Sequence, residues 1–186
     1  MAKINSIEEL ANPQFVKAIK INYTQKEQNK VWEAVLSHNS VSTLLWHKEK
    51  DSFVLVKQLR PAILHTDETN GYTYELCAGI IDKEASDLQI AKEEIIEECG
   101  YDVPLQSIKK VTKFYPAVGI TGAYQKLYYA ELTEGMKVHE GGGIHDEEIE
   151  VIYLKVSEAK KFMFDEKIKK APGLMLAFYW FFENKM

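Results

Sequence analysis

One uninterrupted apolar stretch constrains the fold of this chain more than any other feature. Phe53, Val54, Leu55 and Val56 follow one another within residues 52–59, which we predict to be a strand. Successive side chains of a strand point to opposite faces of the sheet, so a strand of this kind must be covered on both faces. The stretch therefore predicts an α/β fold, with helices on both sides of a mixed sheet.

Turn and capping residues place the remaining elements. Ser86 and Gln89 form a capping-box pattern and Gly100 suits a left-handed stop, which predicts a helix over 87–99. Within one predicted strand, residues 72–78, the alternation places Glu75 and Cys77 on one face and Tyr74 and Leu76 on the other. Other apolar and alternating runs predict strands at 16–22, 29–34, 40–46, 108–114, 125–131 and 149–155, and helices near 157–164 and from Pro172 through Phe182.

Length and composition predict a single domain over residues 1–186. The net charge is −5, from 23 basic and 28 acidic residues, so no basic field attracts a nucleic-acid polymer, and we expect none as a partner. The longest apolar run, nine residues at 174–182, is shorter than the roughly 20 that span a bilayer, so we expect no membrane contact. Cys77 and Cys99 fit no metal or disulfide pattern. We expect both in the core and the protein in the cytoplasm.

The predicted helix over 87–99 carries acidic side chains that repel one another. At a helical period, Glu94, Glu97 and Glu98 share an arc of about 100°, with Glu93 at its margin. Like-charge spacings and the negative helix end together cost about 1 to 3 kcal/mol, and Lys92 points largely away. A solvated acidic face is the ordinary interpretation, and a bound cation is the alternative. Oxygen ligands without histidine or cysteine favour Mg²⁺, or else Mn²⁺, and hence phosphate chemistry.

The segment around this helix, residues 79–100, resembles the signature of the Nudix hydrolases. The full spacing is kept, with matches at Gly79, Glu94, Ile95, Glu97, Glu98 and Gly100. The chain departs from the signature at two positions. Ala85 stands where the family has its first glutamate, beside Glu84, and Glu93 stands where the family has an arginine, beside Lys92.

The resemblance extends over most of the chain. SVSTLLW, FVLVKQLRPA, YELCAGIID, GITGAYQKLYY and GGGIHDEEIEVIYL are similar to the nucleoside diphosphate sugar branch, especially its UDP-glucose and ADP-ribose diphosphatases. This similarity implies a Nudix α/β/α sandwich. It also implies a homodimer whose amino-terminal strands, within about residues 1–38, contribute to the partner's site.

The resemblance also implies the residues that bind metal and substrate. The implied metal ligands are Glu94, Glu97 and Glu98 with the backbone carbonyl of Ala78. For substrate, Arg60 matches a phosphate- or ribose-contacting arginine, with a surface base as the alternative. Trp32 falls at a nucleotide-binding position where its ring could stack on a base, although core packing also fits. Gly119 resembles a position at which backbone approaches the sugar diphosphate, and a simple turn is the alternative.

An acidic loop near the end of the chain would supply the general base. The triple glycine at 141–143 is followed by no Gly-Lys-Ser/Thr pattern, so we assign it flexibility rather than a phosphate cradle. It would let Asp146, Glu147 and Glu148 swing over the site, as the family uses a glutamate from this loop. We favour Glu147 over Glu148. The alternative is a solvated acidic loop.

The resemblance thus implies an enzyme with catalytic Glu94, Glu98 and Glu147. The expected reaction is Mg²⁺-dependent hydrolysis of UDP-glucose or ADP-ribose to a nucleoside monophosphate and a sugar phosphate. GDP-mannose or another nucleotide-linked diphosphate is the alternative substrate. Because Ala85 and Glu93 replace signature residues, a non-catalytic module that binds nucleotide sugars is a second hypothesis. The sequence leaves the base and the sugar open.

Overall fold

The protein is described by a computed structural model over residues 2–8, 11–12, 16–67, 70–144 and 147–185. Strands and helices alternate along this part of the chain. In order they are β1 (Lys17–Gln25), β2 (Gln28–Leu36), β3 (Ser40–His47), β4 (Ser52–Leu59), α1 (Pro61–Thr66), β5 (Tyr72–Glu75), β6 (Cys77–Ile80), α2 (Asp87–Cys99), β7 (Lys109–Phe114), β8 (Gln125–Leu132), β9 (Ile149–Lys155), α3 (Val156–Phe164) and α4 (Pro172–Lys185).

The main sheet is mixed, and its two central strands diverge. β3 runs parallel to β8 but antiparallel to β4, and it pairs with β4 only from Leu45 to His47. Beyond that point β6 pairs with β3 and β5 pairs with β4, so these two short strands fill the gap between the diverging strands. β9 pairs with the opposite edge of β4, and β7 pairs with β8.

Both faces of β4 are covered, as the apolar stretch predicts. Phe53 and Leu55 pack with residues of α3 and α4, including Phe178. Val54 and Val56 pack on the opposite face, beneath α2. The α/β/α sandwich expected from the sequence is confirmed.

Helix α2 begins and ends where its capping residues predict. The Ser86 hydroxyl accepts a hydrogen bond from the Gln89 N–H, and the Gln89 side chain accepts one from the Ser86 N–H. Gly100 stops the helix with φ 78°. Ile90 and Ile95 are buried against the sheet. This packing fixes which way the acidic side chains of α2 face.

The predicted strand at 72–78 is two strands. β5 ends at Glu75 and β6 begins at Cys77, because the chain changes its pairing partner from β4 to β3 at this point. The predicted facing is nevertheless confirmed: Tyr74 and Leu76 pack on the α4 side, whereas Cys77 packs on the α2 side. Helix α1 was not predicted, since a single short segment after Pro61 shows no helical period.

The first two strands form a separate antiparallel hairpin. Its apolar side chains Ile21, Val31 and Trp32 are exposed. The Val35 N–H donates to the Ile120 carbonyl at 2.8 Å, which ties the hairpin to the loop between β7 and β8.

No helix within the described ranges is long and apolar enough to cross a lipid bilayer. Cys77 and Cys99 are both buried and free, as expected.

Candidate active site

Glu98 is a buried carboxylate held beneath the strand β6. Its side chain is 6% exposed, and its Oε2 accepts a hydrogen bond from the Ala78 N–H at 3.0 Å. Burial raises the pKa of Glu98 to about 8, and the nearby charges of Glu94 and Glu147 add to this rise. An acid in this position is poised to bind either a proton or a cation.

Glu94 lies one helical turn before Glu98, against the backbone of Gly79. A β-carbon at residue 79 would overlap the Glu94 carboxylate, so the glycine makes this close approach possible. The pKa of Glu94 is raised to about 7, chiefly by burial and also by the charges of Glu97 and Glu147. The two glutamates therefore share one anionic region with their neighbours.

The triple glycine fixes the acidic loop to the end of α2. The Gly142 N–H donates to the Glu98 carbonyl at 2.9 Å, and the Gly143 N–H donates to the Glu97 carbonyl at 3.1 Å. Gly141, Gly142 and Gly143 all have positive φ, between 77° and 112°. Flexibility is the role expected of these glycines from the sequence. Their positive φ angles add a conformational requirement, because residues with a β-carbon seldom adopt this backbone geometry.

Glu147 is the loop acid that faces the glutamates of α2. Its Oε2 accepts a hydrogen bond from the Ile144 N–H at 3.0 Å, and its charge raises the pKa of both Glu94 and Glu98. Glu147 is therefore the acid of this loop that the electrostatics connect with α2. Asp146 lies outside the described residues.

Arg60 approaches the same region from the end of β4. Its Nε and Nη2 donate to the two carboxylate oxygens of Glu75 at 2.7 and 2.6 Å. The pKa of Arg60 is raised chiefly by this hydrogen bonding, and the charges of Glu98 and Glu147 also raise it. The site thus sets one guanidinium beside a group of carboxylates.

Trp32 and Gly119 contact each other. The indole Nε1 donates to the Gly119 carbonyl at 3.2 Å, and Trp32 is 51% exposed, so it does not pack in the core. Gly119 lies in a turn with open space beside its α-carbon. Among the described residues, no hydrogen bond or ion pair joins this pair to the glutamates of α2.

Comparison with known proteins places this arrangement in a family. No family model matches the chain. The uridine diphosphate glucose pyrophosphatase of Bos taurus is 33% identical over 92% of this chain and 90% of the relative. The chain belongs to the Nudix hydrolases. The uridine diphosphate glucose pyrophosphatase of Mus musculus is 31% identical over 94% of the chain and 91% of the relative. The GDP-mannose pyrophosphatase of Cronobacter sakazakii is 36% identical over 74% of the chain and 71% of the relative.

The two departures from the Nudix signature have visible structural outcomes. Glu93, at the arginine position, forms an ion pair with Lys83 on the surface. Ala85, at the first glutamate position, packs against the core beneath α2. Neither residue supplies the positive charge that the arginine of the signature would bring, since one is an alanine and the other a glutamate.

The carboxylate oxygens of the acidic side chains at this site are ligands that suit a hard divalent cation, although these side chains are not gathered around one point. Within the described ranges, no group of three or more acidic, histidine or cysteine side chains is arranged to hold a metal ion. In the same residues, no lysine or arginine forms an ion pair with Glu94, Glu97, Glu98 or Glu147. The charge of Lys83 lowers the pKa of Glu94, but among these residues Lys83 forms no ion pair with it. Carboxylate oxygens that lack a direct ion pair favour Mg²⁺ or Mn²⁺ as the bound ion.

Sequence reasoning missed Glu75 as part of this site. The signal was present, because the alternation of residues 72–78 places Glu75 on the same face as the buried Cys77. A charged side chain on a face that is otherwise buried requires a partner. That partner is Arg60.

Proposed function

We propose that this Nudix hydrolase cleaves the diphosphate bond of a nucleoside diphosphate sugar, releasing a nucleoside monophosphate and a sugar phosphate. One observation carries the proposal: the charges of Glu98 and Glu147 act on the Arg60 guanidinium, and the charge of Glu147 also raises the pKa values of Glu94 and Glu98. Carboxylates can bind a cation and a guanidinium can bind phosphate oxygens, so this combination suits a metal-bound diphosphate. The relatives' names support UDP-glucose and GDP-mannose, and ADP-ribose is the further candidate from the sequence.

The metal ligands in this proposal are Glu94, Glu97, Glu98 and the carbonyl of Ala78. All lie on α2 or on the adjoining strand β6. Burial, with the neighbouring negative charges, raises the pKa values of Glu94 and Glu98, so a cation bound there would stabilise their charged forms. Bound Mg²⁺, or alternatively Mn²⁺, would polarise a phosphoryl oxygen and lower the pKa of a bound water.

Glu147 is the general base we propose. Its hydrogen bond to the Ile144 N–H orients the carboxylate, which would accept a proton from the attacking water. The water oxygen forms a bond to one phosphorus, and the bond from that phosphorus to the bridging oxygen breaks. The leaving phosphate departs with the bridging oxygen and its electron pair.

Arg60 would bind the diphosphate, and Trp32 would stack on the nucleobase while the Gly119 backbone borders the substrate. The exposed aromatic face of Trp32 supports this role. Because Trp32 belongs to a hairpin that stands apart from the main sheet, we propose that a homodimer brings this hairpin to the partner's site. The two free cysteines favour the reducing cytoplasm as the location.

A panel of nucleotide sugars tests the proposal. UDP-glucose, ADP-ribose and GDP-mannose are each incubated with Mg²⁺, with Mn²⁺ or with a chelator, and the products are identified by mass. We expect metal-dependent release of a nucleoside monophosphate and a sugar phosphate, with ¹⁸O from labelled water on the phosphate that was attacked. Glu98→Gln serves as the matched inactive variant. Binding of these compounds without any turnover would instead support the non-catalytic module.

A further inference from the structure

The pair formed by Arg60 and Glu75 joins two strand ends next to the glutamate cluster. Arg60 follows β4 directly, and Glu75 is the last residue of the neighbouring strand β5. The bond is bidentate, with both distances below 2.8 Å. Two parallel hydrogen bonds fix the plane of a guanidinium as well as its position.

Glu75 is itself held in place. The Thr73 hydroxyl donates to Glu75 Oε1 at 2.5 Å, and only 17% of the Glu75 side chain is exposed. Burial acts to raise the pKa of Glu75, but hydrogen bonds from Arg60 and Thr73 outweigh it and hold that pKa below its usual range. The carboxylate therefore stays charged and stationary at neutral pH.

The backbone of Arg60 is equally constrained. Its N–H donates to the Gly71 carbonyl at 2.9 Å, and its carbonyl accepts from Ile63 and Leu64 at the start of α1. The side chain, in contrast, is 48% exposed. Among the described residues, its other guanidinium edge, which carries Nη1, has no hydrogen-bond partner. That edge is available to phosphate oxygens.

Arg60 also has competing partners. Glu98 and Glu147 lie close enough for their charges to act on the guanidinium. A long, half-exposed arginine without a fixed partner would be drawn to these carboxylates, and in that position it would neutralise the acids that face the substrate. Glu75 accepts hydrogen bonds from the opposite edge of the guanidinium and so keeps Arg60 from pairing with Glu98 or Glu147.

We propose that Glu75 is a positioning residue, which holds Arg60 so that the free edge of its guanidinium binds the diphosphate rather than the acidic cluster. This inference rests on the proposed function for the identity of the substrate. Glu75 itself touches neither the substrate nor the reacting atoms. Its effect passes entirely through Arg60.

A double-mutant cycle tests the inference. Wild type, Glu75→Gln, Arg60→Gln and the double variant are compared for kcat and KM on the best nucleotide sugar, and for the Kd of UDP in the presence of a chelator. We expect Glu75→Gln to raise KM and the Kd of UDP by about tenfold, with a smaller change in kcat, because an arginine that is no longer oriented weakens anion binding. In the Arg60→Gln background the same change should have no further effect. Equal losses in both backgrounds, or no loss in either, would overturn the proposal.

Two further variants separate positioning from general stability. Glu150→Gln breaks the 2.7 Å ion pair between Lys57 and Glu150, on the neighbouring strands β4 and β9, and should leave KM and the Kd of UDP unchanged. If Glu75→Gln does not fold, Thr73→Val removes one anchor of Glu75 and should move both constants in the same direction by a smaller factor; unchanged constants there would contradict the proposal. Because UDP binding needs no turnover, it tests the role of Glu75 even if the panel of nucleotide sugars shows no hydrolysis.

Discussion

The Glu94 carboxylate lies where the side chain of residue 79 would be if that residue were not glycine. Two elements of the site, β6 and α2, are thus fitted to each other at a single backbone position. The φ of Gly79 is not in the left-handed region, so an alanine there would disturb the neighbouring side chain without straining the backbone.

Gly79→Ala should therefore impair metal binding more than folding. The overlapped atoms belong to the far end of a flexible side chain, so Glu94 can move away and the strand can stay in place. We expect a Mg²⁺ requirement raised by about tenfold or more, with Tm lowered by only a few degrees, since about 1 kcal/mol corresponds to 2–4 °C in a domain of this size. Mg²⁺ titration of activity and thermal unfolding measure the two effects. Gly135→Ala, where an added β-carbon meets open space, is the control. An unchanged Mg²⁺ requirement would show that Glu94 is not a ligand.

Glu147→Gln should reduce kcat by about 10²- to 10⁴-fold, the usual contribution of a general base. The amide keeps an oxygen that can accept from the Ile144 N–H, so the loop conformation is preserved while the base is lost. Glu148→Gln is the adjacent control and should change kcat by less than about threefold, because Glu147 is the loop acid whose charge acts on Glu94 and Glu98. Steady-state kinetics at saturating Mg²⁺ compare them. A larger loss of kcat in Glu148→Gln than in Glu147→Gln would assign the role of general base to Glu148.

Glu98→Gln should stabilise the metal-free protein at alkaline pH. The pKa of Glu98 is about 8 in the folded protein against a usual value of 4.5. Between these values the folded state binds more protons than the unfolded state, so the free energy of unfolding falls as pH rises from about 4.5 to about 8. Glutamine has no proton to lose. We therefore expect equal Tm values near pH 4 and a variant that is several degrees more stable at pH 9.

Thermal unfolding in a chelator measures this difference, and the same scans with Mg²⁺ supply the control. The ion should raise the Tm of wild type at pH 9 and leave Glu98→Gln unaffected, because the variant lacks the charged ligand. A variant less stable than wild type at pH 9 without metal would mean that Glu98 is stabilised by an unrecognised cation from the protein.

Trp32→Ala should raise KM with little change in kcat. Stacking on a base is worth about 1–3 kcal/mol, which predicts an increase of roughly tenfold or more. Trp32→Phe keeps an aromatic face but loses the hydrogen bond to the Gly119 carbonyl, so it separates stacking from loop anchoring. Activity and substrate binding are measured for both variants. If both have the KM of wild type, the base is bound elsewhere.

Local signals made much of the fold predictable. The capping residues of α2 and the apolar stretch of β4 each depend on residues adjacent in sequence, and both predictions were correct. The division of residues 72–80 into β5 and β6 was not predictable, because it follows from where β3 and β4 separate. The residues 72–80 carry no local pattern that shows where β3 and β4 stop pairing with each other.

The residues of the site likewise divide into those that the sequence predicts and those that only the structure reveals. The spacing of Glu94, Glu97 and Glu98 on one helix determines that they share a face, so the sequence predicts their proximity. The pairing of Arg60 with Glu75 depends instead on the register of β4 with β5, which aligns Gln58 with Thr73. From the sequence, Arg60 was predicted as a site residue only through the family resemblance. Its pairing with Glu75 could be recognised only from the strand register in the structure.

Between Glu75 and Cys77 the chain stops pairing with β4 and begins to pair with β3, so different residues of the proposed site lie on two short strands. β5 carries the anchor of the arginine, and β6 carries the backbone that adjoins the glutamates of α2. Leu76 alone connects them, and it is buried in the core beside α4. We expect substitutions in the core around this leucine to alter the spacing between Arg60 and the glutamates of α2, and with it the length of substrate that fits, without replacing any residue of the proposed site.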